Sequence, residues 1–477
     1  MEGDMCPETL AFTAFGQADL GHARRTKRLV QLGAAVMSTP DQPLPNQCKN
    51  AADRKAAYRL LSNDEVDPHA IQLPYRKATL AECAAYPVVL SVQDTTEIDL
   101  TTRKAMKGRG KLGRGSTEGL LQHSAIAVVP ADDDQPIDAP ATPIGILHQQ
   151  WDQRGEPPKG ETTRELQQRR TNADVWQETT EAIAELGSAQ TRLIHVGDRH
   201  SDIFRFMQCC LDVDHGYIAR ARYDRDVLDD QGQVIDKLWP MLELQQASKP
   251  RKVTVHQQRT PKGEVRCAAR EAKLVVRYAR VTIPTPANDI RTQDASPIEC
   301  YAVLVREMDP PEGAEPLEWV LFTSEPVTCE AQAWQIVRYY RHRWVIEEWH
   351  RVLKEGCALE EGQFDDAMDI QRLAAIKAVA AMHLLQLRDL AERVGDNPQA
   401  LQKVMPWEWI VAVAMLAKVA ASDLTPAQFQ LTVAKRGGYL NRKHDRRPGW
   451  KVLWRGWNEI QLLVEGMQMS EKSCGYT

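Results

Sequence analysis

Apolar residues recur with a helical period at the start of this chain. In HARRTKRLVQLGAAVMS, Leu29, Leu32 and Val36 stand three and four residues apart, and AADRKAAYRLLSN has a similar composition. Because side chains at this spacing share one face of an α-helix, both segments are predicted to be short helices. Residues 1–70 are therefore predicted to form a helical module.

Residues 86–225 alternate between strand-like and helix-like segments. The predicted strands are VVLSVQDTT, LLQHSAIAVVP, TPIGILHQQWDQ, TRLIHVGD and HGYIARARYD. SDIFRFMQCCLD is a predicted helix with Ser201 or Asp202 as its N-cap. Alternation of this kind is typical of an α/β domain. Two of the predicted strands end on an acid, Asp94 and Asp198, although an aspartate at such a place is most often only a turn or cap residue.

Residues 226–316 change character, with short alternating strands separated by Pro, Gly and Asp, which predicts an antiparallel β insert. EWVLFTSEP resumes the strands of the core, and CEAQAWQIVRYYRHRWVIEEWHRVLKEG predicts one long helix ending at Gly356. Helical patterns dominate the rest. The predicted organisation is a helical region at 1–70, an α/β region at 71–365 with the insert at about 226–316, and a helical region at 366–477.

The predicted long helix carries Tyr340, Arg343, Glu347 and Lys354 at spacings of three, four and seven residues. This spacing places the four side chains on one helix face. A carboxylate, two cations and a phenol form a poor core face and a suitable face for a phosphate. The alternative is a simple ion pair between Arg343 and Glu347, worth roughly 0.2–0.5 kcal/mol, which leaves Tyr340 and Lys354 unexplained.

The charge distribution favours a nucleic-acid partner more than the total charge does. The net charge of −5 and the pI near 6.2 count against DNA binding, but local basic patches hold phosphates whatever the total. Between residues 20 and 60 only Asp41 and Asp53 oppose the basic residues, which are Arg24, Arg25, Lys27, Arg28, Lys49, Arg54, Lys55 and Arg59. A second cluster without any acid consists of Arg103, Lys104, Lys107, Arg109, Lys111 and Arg114.

Several other classes of protein are disfavoured by the sequence. No stretch reaches about 18 uncharged apolar residues, so a membrane span is not expected, and the first residues lack the pattern of a secretory signal. The ten cysteines form no CxxC pair, so reduced thiols and a cytoplasmic location are expected. GRGKLGRGS lacks the residue order of a phosphate-binding loop and is predicted to be a basic DNA-contacting loop around Lys111.

Asp94 in VQDTT, Asp198 in GDRHSDI and the run Tyr-x2-Arg-x3-Glu-x6-Lys resemble the DDE transposases, and most closely the bacterial cut-and-paste branch with this signature. Further landmarks follow in order, including LGHARRTKRLVQL, AAYRLLSN, GKLGRG, GILHQQW, PLEWVLFTSEPV and LWRGW. The resemblance implies an RNase H-like core, a mixed sheet flanked by helices, with a β-rich insert between the second and third acids. It also implies an N-terminal region that binds transposon ends and a C-terminal region that pairs two subunits.

The resemblance also implies roles for individual residues. Asp94, Asp198 and Glu347 would bind two Mg²⁺ ions per active site, with Mn²⁺ as a substitute. Tyr340, Arg343 and Lys354 would hold the DNA end, Trp319 would stack on a flipped base, and Arg220 would grip the distorted strand. The end-binding residues would be Arg24, Arg25, Lys27, Arg28 and Arg59. Without the resemblance, Trp319 is better interpreted as core packing.

The expected function is therefore that of a DNA transposase in the bacterial nucleoid, acting on double-stranded transposon ends and target DNA as a homodimer. Strand nicking by water, hairpin formation, hairpin opening and strand transfer would follow one another. Two alternatives stay open on the sequence. One is a metal-dependent nuclease of the same fold that does not join DNA, and the other is a catalytically silent regulator that only binds transposon ends.

Overall fold

The computed structural model describes residues 6–474 except for residues 114, 154–159, 161, 163–164, 166–168, 188–189, 256–257, 260–264, 268, 443–444 and 446. In the described residues the chain forms a large mixed sheet with helices on both faces and helical regions at both ends. The predicted α/β class and the two helical end regions are confirmed. The more specific assignment to an RNase H-like core stays a prediction.

Five helices precede the sheet: α1 (Pro7–Phe15), α2 (Ala23–Ser38), α3 (Leu44–Gln47), α4 (Ala51–Leu61) and α5 (Pro68–Cys83). The helical period predicted for α2 and α4 is borne out, since Leu29, Leu32 and Leu61 are buried together. Helix α4 begins where the Asn50 side chain accepts a hydrogen bond from Asp53 N. Such a cap satisfies an N–H group that has no partner inside the helix.

The sheet contains twelve of the fourteen strands in the described residues, and β10 (Gln258–Arg259) pairs only with β11 (Val265–Cys267). Its strand order is β2-β3-β1-β5-β6-β14-β13-β12-β7-β8, with β4 on β3 and β9 on β12. These strands are β1 (Val88–Asp99), β2 (Gly110–Lys111), β3 (Glu118–Val129), β4 (Thr142–Asp152), β5 (Arg192–Gly197), β6 (Gly216–Arg220), β7 (Asp226–Leu228), β8 (Val234–Lys237), β9 (Arg251–Val255), β12 (Arg270–Ile283), β13 (Ile298–Met308) and β14 (Glu318–Thr323).

Parallel pairing is confined to the middle of the sheet, where β1, β5 and β6 lie side by side. The helices α6 (Val175–Ala184) and α7 (Phe204–Asp212) precede and follow β5. Together with α5 they cover the face that carries Val89, Leu193 and Ala125. The other face carries Leu90, Val92 and Val196 and packs against the helices that follow β14.

Strands of the region 226–316 are antiparallel, but they extend the central sheet. β12 and β13 pair from Lys273 with Met308 to Ile283 with Ile298. β13 then pairs with β14, and β14 pairs with β6 of the parallel centre. One short helix, α8 (Leu238–Glu243), packs against β12 and β13. The insert is therefore continuous with the strands that carry the candidate site.

The single long helix predicted for residues 329–356 is wrong. Helix α9 (Glu330–Arg341) ends, α10 (Trp344–Arg351) begins after two residues, and Val352–Gly356 form a π-helical turn. At the break, Arg343 N bonds to Tyr340 O at 3.0 Å and Val345 N to His342 O at 3.1 Å, which are the shorter bonds of a 3₁₀ turn. Burial of His342 and Arg343 in this turn outweighs the local preference for one straight helix.

The C-terminal helices are α11 (Ala367–Arg388), α12 (Leu390–Val394), α13 (Pro398–Val404), α14 (Trp407–Ala417), α15 (Pro426–Arg436) and α16 (Trp450–Cys474). Helix α11 is buried on all sides, as expected for a helix in the centre of a large protein. Among the described residues no helix combines the length and the apolar character that crossing a membrane requires.

Helices α15 and α16 pack closely at Gly456, which has no side chain. A Cβ atom on Gly456 would lie 1.7 Å from Val433 O, whereas a Cβ atom on Gly466 of the same helix would meet nothing within 4 Å. Gly456→Ala is therefore expected to destabilise the C-terminal region by about 1–3 kcal/mol. Gly466→Ala is expected to be neutral or to stabilise it by up to about 1 kcal/mol. Urea unfolding followed by tryptophan fluorescence measures both, and equal midpoints for the two variants would contradict this packing.

Candidate active site

Strand register brings Asp94 and Asp198 side by side. β1 and β5 pair in parallel from Val88 with Arg192 to Val92 with Val196. Asp94 stands two residues further along β1, and Asp198, the first residue after β5, stands two residues beyond Val196. Neighbouring strands lie about 4.8 Å apart. The sequence predicts that β1 ends at Asp94. The strand continues beyond it, because it stays paired with β3 as far as Asp99. Asp94 instead marks the point where β1 leaves the parallel ladder.

The third acid, Glu347, lies on helix α10, which packs over this row. Leu90, Val92 and Val196 pack in the same core as Ile346 and Trp349 of α10. Because side chains alternate along a strand, Asp94 points to this face as well. Burial raises the pKa of Asp94 to about 7, with Arg343 opposing the shift and the charges of Asp198 and Glu347 adding to it. All three acids and Arg343 therefore lie close enough to interact.

Each of the three carboxylates has a neighbouring hydrogen-bond donor or basic side chain. Glu347 Oε1 accepts a hydrogen bond from Arg343 Nη2 at 2.7 Å. Asp198 accepts hydrogen bonds from the backbone N of His200 at 2.8 Å and from its ring Nδ1 at 3.1 Å. His350 Nδ1 lies 3.8 Å from Asp94 Oδ2. These contacts offset part of the repulsion among three acids in a partly buried site.

The donor set fits a hard divalent cation. Carboxylate oxygens are the ligands that Mg²⁺ prefers, and a few suffice because the ion keeps several waters. In the described part of the chain, however, no three His, Cys, Asp or Glu side chains are already arranged around one metal position. An ion bound here would compete with Arg343 for Glu347 and with His200 for Asp198.

The four signature residues differ in their surroundings. Tyr340 is buried, with its ring 5.7 Å from that of Trp319. Arg343 is also buried, and its guanidinium lies 5.1 Å from the ring centre of Trp344. Lys354 Nζ donates to Glu97 O at 3.2 Å. Tyr340 and Arg343 are thus buried, whereas Glu347 and Lys354 are partly exposed.

Two histidines lie on either side of Glu347 in the sequence. His342 and His350 are both buried. His342 Nε2 accepts a hydrogen bond from Ala131 N at 3.3 Å, so it ties α9 to the loop after β3. Burial lowers the pKa of each histidine to about 3, and both are neutral at pH 7.

A cleft of about 930 Å³ adjoins the acidic row. In β6, Ala219 pairs with Gly197 of β5, so Arg220 occupies the position next to Asp198. Arg220 Nη2 donates to Glu318 O at 3.1 Å, beside Trp319. Arg199, Arg220, Arg270 and Trp319 line the cleft, and Trp319 is only partly buried. The cleft therefore offers cations and an aromatic face next to Asp198.

The basic residues of the N-terminal helices differ in their exposure and in their contacts within the protein. Arg24, Lys27 and Arg59 are exposed. Arg25 bonds to Leu20 O and to Glu65, and Arg28 bonds to Asp53, so both are committed to internal contacts. Lys111 is exposed in β2, and Arg114 lies outside the described residues.

A chain of polar side chains, buried except for Thr95, lies beneath the acids and has no sequence signal of its own. Thr95 Oγ1 donates to His123 Nδ1 at 2.7 Å, and His123 Nε2 donates to Gln93 Oε1 at 3.1 Å. Gln93 Nε2 donates to His195 Nδ1 at 2.8 Å. Burial lowers the pKa of His123 to about 3, in keeping with neutral rings in these roles. The chain links β3, β1 and β5, the last two of which carry Asp94 and Asp198.

Trp344 is the second feature that the sequence did not single out. Its side chain is 58% exposed, although it lies between buried Arg343 and Val345 and three residues from Glu347. An exposed tryptophan beside Arg343 and close in the chain to Glu347 is suited to stacking on a nucleic-acid base.

Comparison with known families gives two matches, one at each end of the chain. Residues 8–66 match the family described as transposase DNA-binding, and residues 380–475 match the transposase Tn5 dimerisation domain. The first match covers α1 to α4, and the second runs from within α11 to the end of α16. Both matched families are domains of transposases, so the two ends of the chain are similar to those of Tn5-type transposases.

The polar chain under the acids predicts unequal effects of two similar substitutions. Gln93→Leu leaves ring nitrogens of His123 and His195 buried without partners, so it is expected to lower the free energy of unfolding by roughly 2–4 kcal/mol. Gln122, one residue before His123, is buried with both amide atoms unpaired. Gln122→Leu is therefore expected to be neutral or stabilising. Urea unfolding of both variants tests this, and a larger loss for Gln122→Leu would contradict it.

Proposed function

We propose that this protein is a DNA transposase that binds transposon ends, cuts them by phosphodiester hydrolysis and hairpin formation, and joins the 3′ ends to target DNA. The observation that carries the proposal is the row of Asp94 and Asp198 on adjacent parallel strands, with Glu347 on the helix above them. The family matches at both ends of the chain support it independently of this row.

An RNase H-like core is part of the proposal. The strand order β4-β3-β1-β5-β6 supports it, because an antiparallel meander is followed by two parallel strands. Helices α6, α7 and α10 pack on the two faces. In this arrangement the acids of β1 and β5 emerge at the same edge of the parallel ladder.

Asp94, Asp198 and Glu347 would hold two Mg²⁺ ions, or Mn²⁺ in their place. Bound there, such ions stabilise the charge on the attacking and leaving oxygens of an in-line displacement. The remaining work belongs to the protein. Arg343, released from Glu347, faces the phosphoryl oxygens, and Lys354 at the end of the same face holds the adjacent phosphate of the DNA end.

The order of steps follows from the nucleophiles. Water attacks a phosphodiester at the transposon end and leaves a 3′ hydroxyl. That hydroxyl attacks the opposite strand, closing a hairpin and releasing the flanking DNA. A second water opens the hairpin, and the same 3′ hydroxyl then attacks a phosphodiester of the target. No side chain becomes covalently linked to DNA in any step.

DNA and a second copy of the chain are the proposed partners. In the N-terminal region the exposed cations Arg24, Lys27 and Arg59 provide contacts to the phosphates of a transposon end. In the C-terminal region Met415, Leu462 and Leu463 expose apolar surface. Such residues suit an interface between two subunits that each hold one DNA end.

Single substitution of the acids tests the active site. Asp94→Asn, Asp198→Asn and Glu347→Gln are each expected to reduce cleavage of the DNA end that flanks the coding region by at least about a hundredfold. Each is also expected to weaken the rise in thermal unfolding midpoint that Mg²⁺ or Mn²⁺ gives the wild type, because fewer ligands remain for the ion.

The matched control is Glu348→Gln. Glu348 is the neighbour of Glu347 but pairs with Arg388 at 2.6 Å, so cleavage is expected to stay within about threefold of wild type. Cleavage that survives substitution of Asp94, Asp198 or Glu347 would remove that residue from the proposed triad. If the protein cleaves DNA but does not join a pre-cut end to target DNA, the result would favour the nuclease alternative over a transposase.

Trp319→Ala tests the base-stacking role. The first nick needs no flipped base, whereas hairpin closure bends the strand sharply, and a base stacked on an aromatic ring gains about 1–3 kcal/mol. The variant is therefore expected to nick at near the wild-type rate and to form hairpins about tenfold more slowly. Denaturing gels of a time course separate the two products, and equal slowing of both steps would argue for a purely structural tryptophan.

A further inference from the structure

An arginine and a tyrosine are exposed directly after β6 and have no role in the site so far. The guanidinium carbon of Arg222 lies 5.3 Å from the ring centre of Tyr223, whose side chain is 54% exposed. In the part of the chain that the structure describes, neither side chain has a hydrogen bond or an ion pair. A cation stacked on an accessible aromatic ring is a common contact for single-stranded nucleic acid.

Asp202 fixes the backbone of this pair. Its carboxylate is fully buried and accepts hydrogen bonds from Arg222 N at 2.8 Å and Tyr223 N at 3.3 Å. It also pairs with Arg225, with Oδ1 3.0 Å from Nε and 2.6 Å from Nη2. A buried carboxylate is costly unless it is paired and hydrogen-bonded in this way. The exposed pair therefore stands on a rigid turn.

A second anchor holds the same turn from the side of α8. Trp239 N donates to Asp224 Oδ1 at 2.9 Å, and Leu238 N donates to Arg225 O at 2.9 Å. Residues 222–225 are thus fixed at both ends, while the side chains of Arg222 and Tyr223 remain in solvent. Such rigidity reduces the entropy lost when a ligand binds.

Strand register places Arg222 next to Trp319. Arg220 pairs with Leu321 of β14, and Ala221 N continues the ladder by donating to Val320 O at 2.8 Å. The next pair of positions is Arg222 and Trp319. Arg220 and Trp319 line the cleft, and Arg222 and Tyr223 follow Arg220 just past the end of β6. The pair therefore lies close to the cleft that Trp319 occupies.

We propose that Arg222 and Tyr223 bind the unpaired DNA strand at the Trp319 cleft, and that Asp202 is a positioning residue for this contact. The guanidinium of Arg222 would contact a phosphate, and the ring of Tyr223 would stack on the base next to the one on Trp319. The inference rests on the proposed function, since it takes its ligand from the distorted transposon end.

The experiment compares two probes cut from the DNA that flanks the coding region. One is a blunt duplex, and the other lacks four nucleotides of one strand, so that its end is single-stranded. Fluorescence anisotropy in EDTA gives the affinity of the full-length protein for each probe without cleavage. The wild type is expected to prefer the single-stranded end.

Arg222→Ala and Tyr223→Ala are each expected to weaken binding of the single-stranded end about tenfold and of the blunt duplex less than about twofold. Arg222→Ala is also expected to lower the slope of log affinity against log salt by about 0.7. Tyr223→Phe is expected to keep the wild-type preference. Arg280→Ala is the matched control, because Arg280 is exposed on β12 of the same sheet and pairs with Glu299.

Asp202→Asn is expected to reduce the preference for the single-stranded end, and adding Tyr223→Ala is expected to reduce it little further. A merely structural aspartate would weaken both probes equally, which would overturn the positioning role. Unchanged preference in Arg222→Ala and Tyr223→Ala, or the same loss in Arg280→Ala, would overturn the contact. Trp319→Ala distinguishes failure of this inference from failure of the proposed function. If Trp319→Ala loses the preference for the single-stranded end while Arg222→Ala and Tyr223→Ala keep it, the proposed function survives and this inference fails.

Discussion

The parallel register of β1, β5 and β6 is the constraint on which the rest of the site depends. Hydrogen bonds between these strands set Asp94 against Asp198 and Asp198 against Arg220, so one row across the sheet carries two acids and a cation. A shift of one residue in either pairing would turn an acid to the opposite face. The polar chain through Gln93, His123 and His195 crosses three strands just below this row and opposes such a shift.

Neighbouring side chains offset part of the repulsion among the three acids. Arg343 donates a hydrogen bond to Glu347, His200 donates one to Asp198, and the ring of buried His350 lies near Asp94. Like charges in a partly buried site destabilise one another, and these contacts limit that cost. Loading the proposed site would therefore free Arg343 at the moment when a phosphate needs a counter-charge.

Local patterns predicted the helices and strands well, and long-range packing decided the rest. The apolar spacing of α2 and α4 and the β-branched run of β1 are properties of short segments, so they can be read from the sequence. That β1 continues past Asp94 depends on pairing with β3, about 30 residues away. The 3₁₀ break before Trp344, the burial of His342 and the capture of Arg28 by Asp53 likewise depend on partners that no local period specifies.

Helix α11 ties the parts of the chain together more closely than their order suggests. Arg372 donates to Val66 O and Leu61 O, Lys377 to Cys357 O, and Gln386 to Ile144 O, so one helix satisfies carbonyl groups of the N-terminal helices, the segment after α10 and the sheet. A fragment that stops before residue 366 would strip the sheet of its cover and leave these carbonyl groups buried without partners or open to water. Shortened versions made for biochemistry should therefore keep α11 with the central sheet.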